Sequence, residues 1–375
     1  MVFNNSNLKP DNIMNSNNKG NSIVQLIDPV TDPRWDEFVA SHPFGWICHL
    51  SGWKTVLEKS FKHMKGYYYV LLNDKGEKIQ AGLPVYLVNS WLTGKRIVSI
   101  PFATLCDPLI AANDEMGILM KSVIDLAKCK KALYIEIRTF KSGPLVDDER
   151  FGSNDFFKHH YLTLDQEPEK LMKKFHRTCV KQRISRAIKN ELKIKKGESC
   201  TDLETYYLLH SLTRKRLGLP VHPYKLFRSL WDTFKESGFI EILIAKKNTE
   251  AIAGIILFKY KDRVSAEFAC SNDEYFNISP NHFVFWEAIK LAYEEGYKIF
   301  DFGRTSATNK SLMDFKRHWG TDVIDMNNLY SPKEMALKMC ANEMSWKYKT
   351  MKEICRKSPD MLQQLIGKFV YNHLG

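Results

Sequence analysis

The chain has eight cysteines, at positions 48, 106, 129, 179, 200, 270, 340 and 355, but no Cys-x-x-Cys pair. Without that spacing neither a zinc knuckle nor a dithiol redox motif is signalled, and no metal site is expected. The thiols are expected to be reduced, which suits a reducing compartment. No stretch of 18 apolar residues occurs, so no membrane-spanning helix is expected. His-Glu-x-x-His, Gly-x-Ser-x-Gly and phosphate-loop patterns are all missing, which removes the usual signatures of zinc peptidases, α/β-hydrolases and P-loop nucleotidases. Residues 1–22 lack the apolar stretch of a signal peptide and carry eight asparagines. They offer too little apolar surface to offset their ordering entropy, so a disordered tail is expected there. Together these absences suggest a cytoplasmic monomer, at most peripheral to a membrane.

What is present is ample apolar material and a concentrated positive charge. The 375 residues are 44% hydrophobic, enough for two domains of ordinary size. Net charge is +12, and residues 170–196 alone hold eleven Lys/Arg against the single acid Glu191. So local an excess predicts a polyanionic partner. Leu171, Phe175, Cys179, Ile184, Ile188 and Leu192 recur about every four residues, which predicts one basic helix over 170–196 with an apolar stripe. Lys173, Lys174, Arg177, Lys181, Arg183 and Arg186 would form its phosphate-binding patch.

The sequence repeats itself once. Tyr67–Val88 and Phe239–Tyr260 each read as a strand, a polar turn and a second strand, with Gly82 and Gly254 in matching places. Helices are expected before each hairpin, at 35–40 and 52–60 and again at 203–217 and 224–237. Each half then closes with a helix and a strand: 115–130 with 132–138, and 281–295 with 298–302. Two copies of one plan define an α+β fold with mixed central sheets flanked by helices. Residues 331–375 read as a helical tail, 334–356 and 361–373, with Ser358-Pro359-Asp360 starting the last helix.

Chemistry concentrates near the second closing strand. Asp301 lies between Phe300 and Phe302, so it must point away from both rings, into a cleft or onto a cation such as Arg304 or Lys316. Lys316, after Phe315, offers a compact positive charge for a phosphate or an oxyanion. Glu267, on an earlier strand, is a second candidate base, although an outward-facing strand acid would look the same.

The run PNHFVFWEAIKLAYEEGYKIFDFGRTSATNKSLMDFKRHWG resembles the FemAB family, particularly its polysaccharide-associated branch. HLSGWKTVLEKSF and SIPFATLCDPL look like earlier segments of the same family, so the resemblance spans roughly residues 23–330. It implies two tandem GNAT-like domains, 23–165 and 166–330, with the basic helix in the second. It also implies transfer of an acyl or aminoacyl group to an amine of a cell-envelope or polysaccharide precursor. The resemblance places acyl-transfer handling on Phe315 and Lys316, and a substrate-phosphate contact near Arg216. Lys316, Asp301 and Glu267 are then the catalytic candidates. Phe315, Arg304, Arg216, Asn281, His282 and Trp319 are the substrate-binding candidates. No bound cofactor is expected, and the donor would be aminoacyl-tRNA or a thioester such as acetyl-CoA. The stretch Asp273–His282 contains no glycine, unlike the pyrophosphate cradle of CoA-dependent relatives, which weakens CoA as donor. Two other readings are an aminoacyl-tRNA-dependent transferase of the peptidoglycan-bridge type and a non-catalytic polyanion-binding module.

Overall fold

A computed structural model of the chain describes residues 23–143, 146, 148–342 and 346–374. The asparagine-rich stretch 1–22 lies outside the described residues. The strands are β1 Ile23–Ile27, β2 Met64–Leu72, β3 Ile79–Ser90, β4 Gly94–Val98, β5 Ile135–Thr139, β6 Gly152–Thr163, β7 Lys193–Lys196, β8 Ile240–Lys247, β9 Glu250–Tyr260, β10 Arg263–Ser271, β11 Ile299–Ser306 and β12 Asp322–Ser331. The helices are α1 Arg34–Ser41, α2 Ser51–Ser60, α3 Asn113–Lys130, α4 Pro168–Leu171, α5 Gln182–Lys189, α6 Cys200–Arg216, α7 Tyr224–Phe234, α8 Pro280–Glu294, α9 Lys310–Arg317, α10 Met335–Asn342, α11 Trp346–Lys357 and α12 Asp360–Tyr371. Among the described residues no helix is long and apolar enough to cross a membrane.

All twelve strands form one sheet in the order β1-β2-β3-β4-β5-β12-β6-β11-β10-β9-β8-β7. That order is nearly a palindrome, with β1–β5 on one side and β11–β7 on the other. β4 and β5 run parallel, as do β10 and β11, at corresponding places in each half. The two central strands have changed places: β6, which ends the first half of the sequence, pairs with β11, and β12 pairs with β5. β6 and β12 also pair with each other, which joins the halves through backbone hydrogen bonds.

The strands alternate between two cores, as a two-residue period demands. Tyr68, Val70, Ile242 and Ile244 face a core under α1, α2, α6 and α7, and this core is continuous between the halves. There Trp53 of α2 packs 6.2 Å from Phe234 and 5.6 Å from Phe258. On the opposite face, Leu71 meets α3, while Leu243 and Ala245 belong to a separate core with α5 and α8.

The glycines of the repeat have one physical cause. A Cβ at Gly82 would stand 2.7 Å from the Trp35 ring, and one at Gly254 would stand 2.9 Å from the Tyr206 ring. Each hairpin thus opens a slot for an aromatic from the helix before it. Both rings are fully buried and have no room to retreat. Gly82→Ala is expected to cost about 1–3 kcal/mol of stability, measured by urea denaturation.

The basic segment is not one helix. α4 gives way to a 3₁₀ turn at Met172–Lys174, an extended Phe175, a π-turn at Arg177–Lys181, then α5 and the strand β7. The break comes where the His176 N–H leaves the helix to bond the carbonyl of His318 at 2.8 Å. Past the break the buried line runs through Val180, Ile184 and Ala187, so Ile188 is turned to solvent. Among the described residues the tail holds α10, α11 and α12, the last starting at Asp360.

Candidate active site

β10 and β11 pair only from Arg263↔Ile299 to Ser265↔Asp301. Beyond that point they diverge. The cause lies in β10, where a register shift falls between Glu267 and Cys270 and Phe268 takes a positive φ of 47°. The peeled stretch is held by α6. The Tyr206 hydroxyl donates to the Phe268 carbonyl, the Ser271 N–H donates to Thr213 Oγ1 (2.8 Å), and the Thr213 hydroxyl returns to the Ser271 carbonyl (3.0 Å). A wedge opens between the strands, and the ionisable candidates gather around it.

Asp301 is buried at the closed end of the wedge. Its partners are Arg263, whose Nη1 donates to Oδ2 at 2.8 Å, and the Gly303 N–H, which donates to Oδ1 at 2.6 Å. His159 Nε2 stands 3.0 Å from Oδ2. Arg304 and Lys316, the partners expected from the sequence, are not bonded to it. Burial alone would raise this carboxyl, but His159, Arg263 and the Gly303 N–H outweigh it and hold the group at about 2. A carboxylate so held is a fixed negative charge rather than a proton acceptor near neutrality.

Lys316 reaches back from α9 to β11. Its ammonium donates to the carbonyls of Gly303 (2.9 Å) and Arg304 (3.0 Å), which uses two of its three N–H groups. Burial lowers it to about 8, against the opposing pull of Asp301 and Glu267. Glu267 is half-buried and accepts from the Ser265 hydroxyl at 2.8 Å. Burial raises it to about 7, the Ser265 bond opposes that, and the Asp301 charge adds to it. Asp301, Glu267, Lys316 and Arg304 therefore act on one another through a shielded interior. In the first half Glu136, which pairs with Val98 in the parallel register as Asp301 pairs with Ser265, is also a buried carboxylate.

Arg304 faces a cavity of about 930 Å³ between the halves and the tail. Its guanidinium lies 4.6 Å from the Phe157 ring. Burial and then the nearby Arg138 lower its pKa. Arg138 itself is paired with Glu136 at 2.8 Å. Sequence reasoning missed Arg138, Glu136, Arg263 and His159. They come from strands distant in the chain, and no local pattern marks them.

The remaining candidates separate into packing and rim. Trp319 is fully enclosed, packed 5.2 Å from Phe175 and 5.9 Å from Phe302, so it offers no face to a substrate and serves to seat α9. Phe315 packs 5.6 Å from Phe285 and 5.4 Å from His282, whose pKa burial lowers to about 4. Asn281 and His282 lie half-buried in the first turn of α8. Before that helix, Asp273–Ile278 winds into a 3₁₀ turn, and Ser279 takes a φ of 62°. Two cations reach this turn: Arg216 stacks on Phe276 at 4.6 Å, and Arg186 donates to the Asn277 carbonyl at 3.3 Å. Arg183 acts on His282 from the same side. Lys173, Lys174, Arg177 and Lys181 lie on the preceding irregular turns.

His176, Cys179 and His318 bring nitrogen and sulfur atoms within 4.8 Å of one another. The Cys179 N–H donates to His176 Nδ1 at 3.2 Å, which leaves the ring proton on Nε2. That ring caps the π-turn.

Residues 174–317 match the acetyltransferase (GNAT) domain family. The lipid II:glycine glycyltransferase of Staphylococcus haemolyticus (strain JCSC1435) is 20% identical, over 78% of this chain and 89% of that protein. The UDP-N-acetylmuramoylpentapeptide-lysine N(6)-alanyltransferase of Weissella viridescens is 21% identical, over 80% and 93%. The crystal structure of FemX superimposes with a TM-score of 0.66 at 16% identity, covering 84% of this chain and 99% of that one. A tandem GNAT protein from the clavulanic acid biosynthesis pathway gives 0.50 at 11% identity, covering 82% and 98%. The fold and these relatives define an acyltransferase of GNAT architecture. The resemblance to the FemAB family read in the sequence agrees with these relatives and with the FemX fold.

Proposed function

We propose that the chain moves an aminoacyl group from aminoacyl-tRNA onto an amine of a cell-envelope precursor, at the cytoplasmic face of the membrane. The observation that carries this reading is the wedge itself, where the Glu267 carboxyl, raised to about 7, feels the charge of the buried Lys316. Glu267 is read as the general base, because a base near the working pH is most effective. It removes a proton as the acceptor nitrogen attacks the donor carbonyl carbon. The third N–H of Lys316 is assigned to the oxygen that becomes negative. When the tetrahedral adduct collapses, the C–O bond to the tRNA ribose breaks and the leaving oxygen takes up the proton.

Two further observations support the donor. The turn 273–278 has no glycine and is wound as a 3₁₀ helix, so it does not present the open amide cradle a CoA pyrophosphate uses. Arg183, Arg186 and Arg216 gather at that turn instead, where they suit the phosphates of an acceptor stem. On this reading, residues 23–165 and 166–330 are two GNAT-like units that have exchanged their closing strands, and 331–375 is an added tail. The large cavity, with Arg304 on its wall, takes the acceptor.

The test is a transfer assay offering radiolabelled aminoacyl-tRNA and acetyl-CoA in parallel to an amine-bearing glycan precursor. Label is expected to move from aminoacyl-tRNA, with a rate that falls steeply as salt rises. Transfer from acetyl-CoA alone, or from neither donor, would overturn the reading.

A further inference from the structure

α12 is turned inside out. Its inward face carries Gln363, whose amide donates to the Cys355 carbonyl at 3.1 Å, and Gly367, where a Cβ would stand 2.1 Å from the Val221 carbonyl oxygen. Tyr371 completes that face, its hydroxyl 2.9 Å from His222 Nε2. The outward face carries Leu362, Leu365 and Phe369, and the last two are 59% and 51% exposed. A helix that buries a glutamine and shows its leucines to solvent has not spent its apolar face on the fold.

A second element continues that face. Trp91, 79% exposed, and Leu92 form the tip of the β3–β4 turn. The Trp91 ring lies 6.4 Å from Phe369 and 5.1 Å from His373, so turn and helix make one apolar surface. Exposed apolar patches of this kind mark interaction sites. The charges around it are mostly positive, and Asp360, at the start of α12, is paired with Lys215. Segments 91–95, 130–134 and 361–374 contain Lys95, Lys130, Lys131 and Lys368 and no acid. Lys95, Lys131 and Lys368 are exposed.

We infer that the surface formed by the β3–β4 turn and α12 docks on an anionic lipid bilayer. A tryptophan tip and a leucine-phenylalanine helix face seat at the headgroup boundary, and a lysine rim meets anionic headgroups. The patch also borders the cavity: Thr93, Leu133, His373 and Leu374 line the cavity wall next to it. Docking thus holds the cavity mouth against the headgroup layer, where a lipid-carried acceptor presents its polar end. That last step rests on the acceptor reading above, whereas the docking itself does not.

The experiment is co-sedimentation of the full-length chain with vesicles of phosphatidylcholine containing about one-third phosphatidylglycerol, without donor or acceptor, beside vesicles of phosphatidylcholine alone. The wild type is expected to bind the anionic vesicles and to lose most of that binding between 0.1 and about 0.5 M salt. Trp91→Ser combined with Phe369→Ser is expected to weaken binding at least about tenfold, with an unchanged circular dichroism spectrum because both positions are exposed. The same variant should keep wild-type transfer to a water-soluble acceptor. Absence of wild-type binding, or undiminished binding by the variant, would overturn the inference. So would light scattering that shows a wild-type dimer which the two substitutions dissolve, since the patch would then join two copies of the chain. Vesicle binding without transfer from any donor would retire the proposed function and leave the docking surface standing.

Discussion

Glu267→Gln is expected to lower the transfer rate by about 10²–10⁴-fold while leaving the thermal midpoint within a few degrees of wild type. The substitution keeps the shape of the side chain and its place near Ser265, and it removes only the capacity to take a proton. The pH profile supplies the sharper readout. Glu267 must be ionised to act as a base, and burial holds it at about 7, so wild-type turnover should fall as pH drops through 7. Lys316 must keep its proton to stabilise an oxyanion, and it lies at about 8, so turnover should fall again as pH rises through 8. The result is a narrow bell whose two limbs belong to a coupled carboxylate–ammonium pair rather than to either group alone. In Glu267→Gln the acidic limb near 7 should vanish. A variant that keeps more than a tenth of wild-type turnover, or the same acidic limb, would remove Glu267 from the mechanism.

The identity of Glu267 as a candidate was legible in the sequence, but the reason for its altered acidity was not. From the strand pattern it looked like an ordinary outward-facing acid. What changes it is a bulge at Phe268, imposed by Tyr206 and Thr213 from a helix some sixty residues earlier in the chain. Local pattern fared well where the cause was local. Both hairpins, with their glycines, fall where the alternation places them, because Trp35 and Tyr206 need the same slot. It failed for β6 and β12. Gly152–Thr163 is polar and histidine-rich, and it forms a strand because it is gripped on both sides by backbone partners from the other half. The same exchange brings His159 to Asp301, a contact across 142 residues that spacing cannot reveal. The basic helix failed for a related reason: the four-residue stripe was real up to Phe175, but a long-range bond to His318 broke the helix there.

Asp301→Asn is expected to cost about 3–5 kcal/mol of folding stability, the usual consequence of leaving one member of a buried ion pair without its counter-charge. Arg263 is the member left behind, 2.8 Å away and also buried. The loss should depend on pH in a defined direction. The folded carboxyl sits at about 2 against an ordinary value of 3.8, so its ionisation contributes stability that is fully present above about pH 4. That contribution, about 2 kcal/mol from the shift, disappears as pH falls through 2. The gap between wild type and variant in urea midpoint should therefore shrink on acidification. A constant gap, or one below about 1 kcal/mol at neutral pH, would contradict the assigned pairing. Asp301→Leu with Arg263→Met should recover much of the loss, because removing both charges leaves neither stranded. Activity should respond separately. Asp301 is one of the charges that hold the Lys316 ammonium up against burial. Without it the lysine should lose its proton more readily, and the alkaline limb of the bell should move below 8 in whatever fraction of Asp301→Asn remains folded. A merely structural carboxylate would leave that limb in place, so the position of the limb separates its support of the fold from its support of the reacting charge.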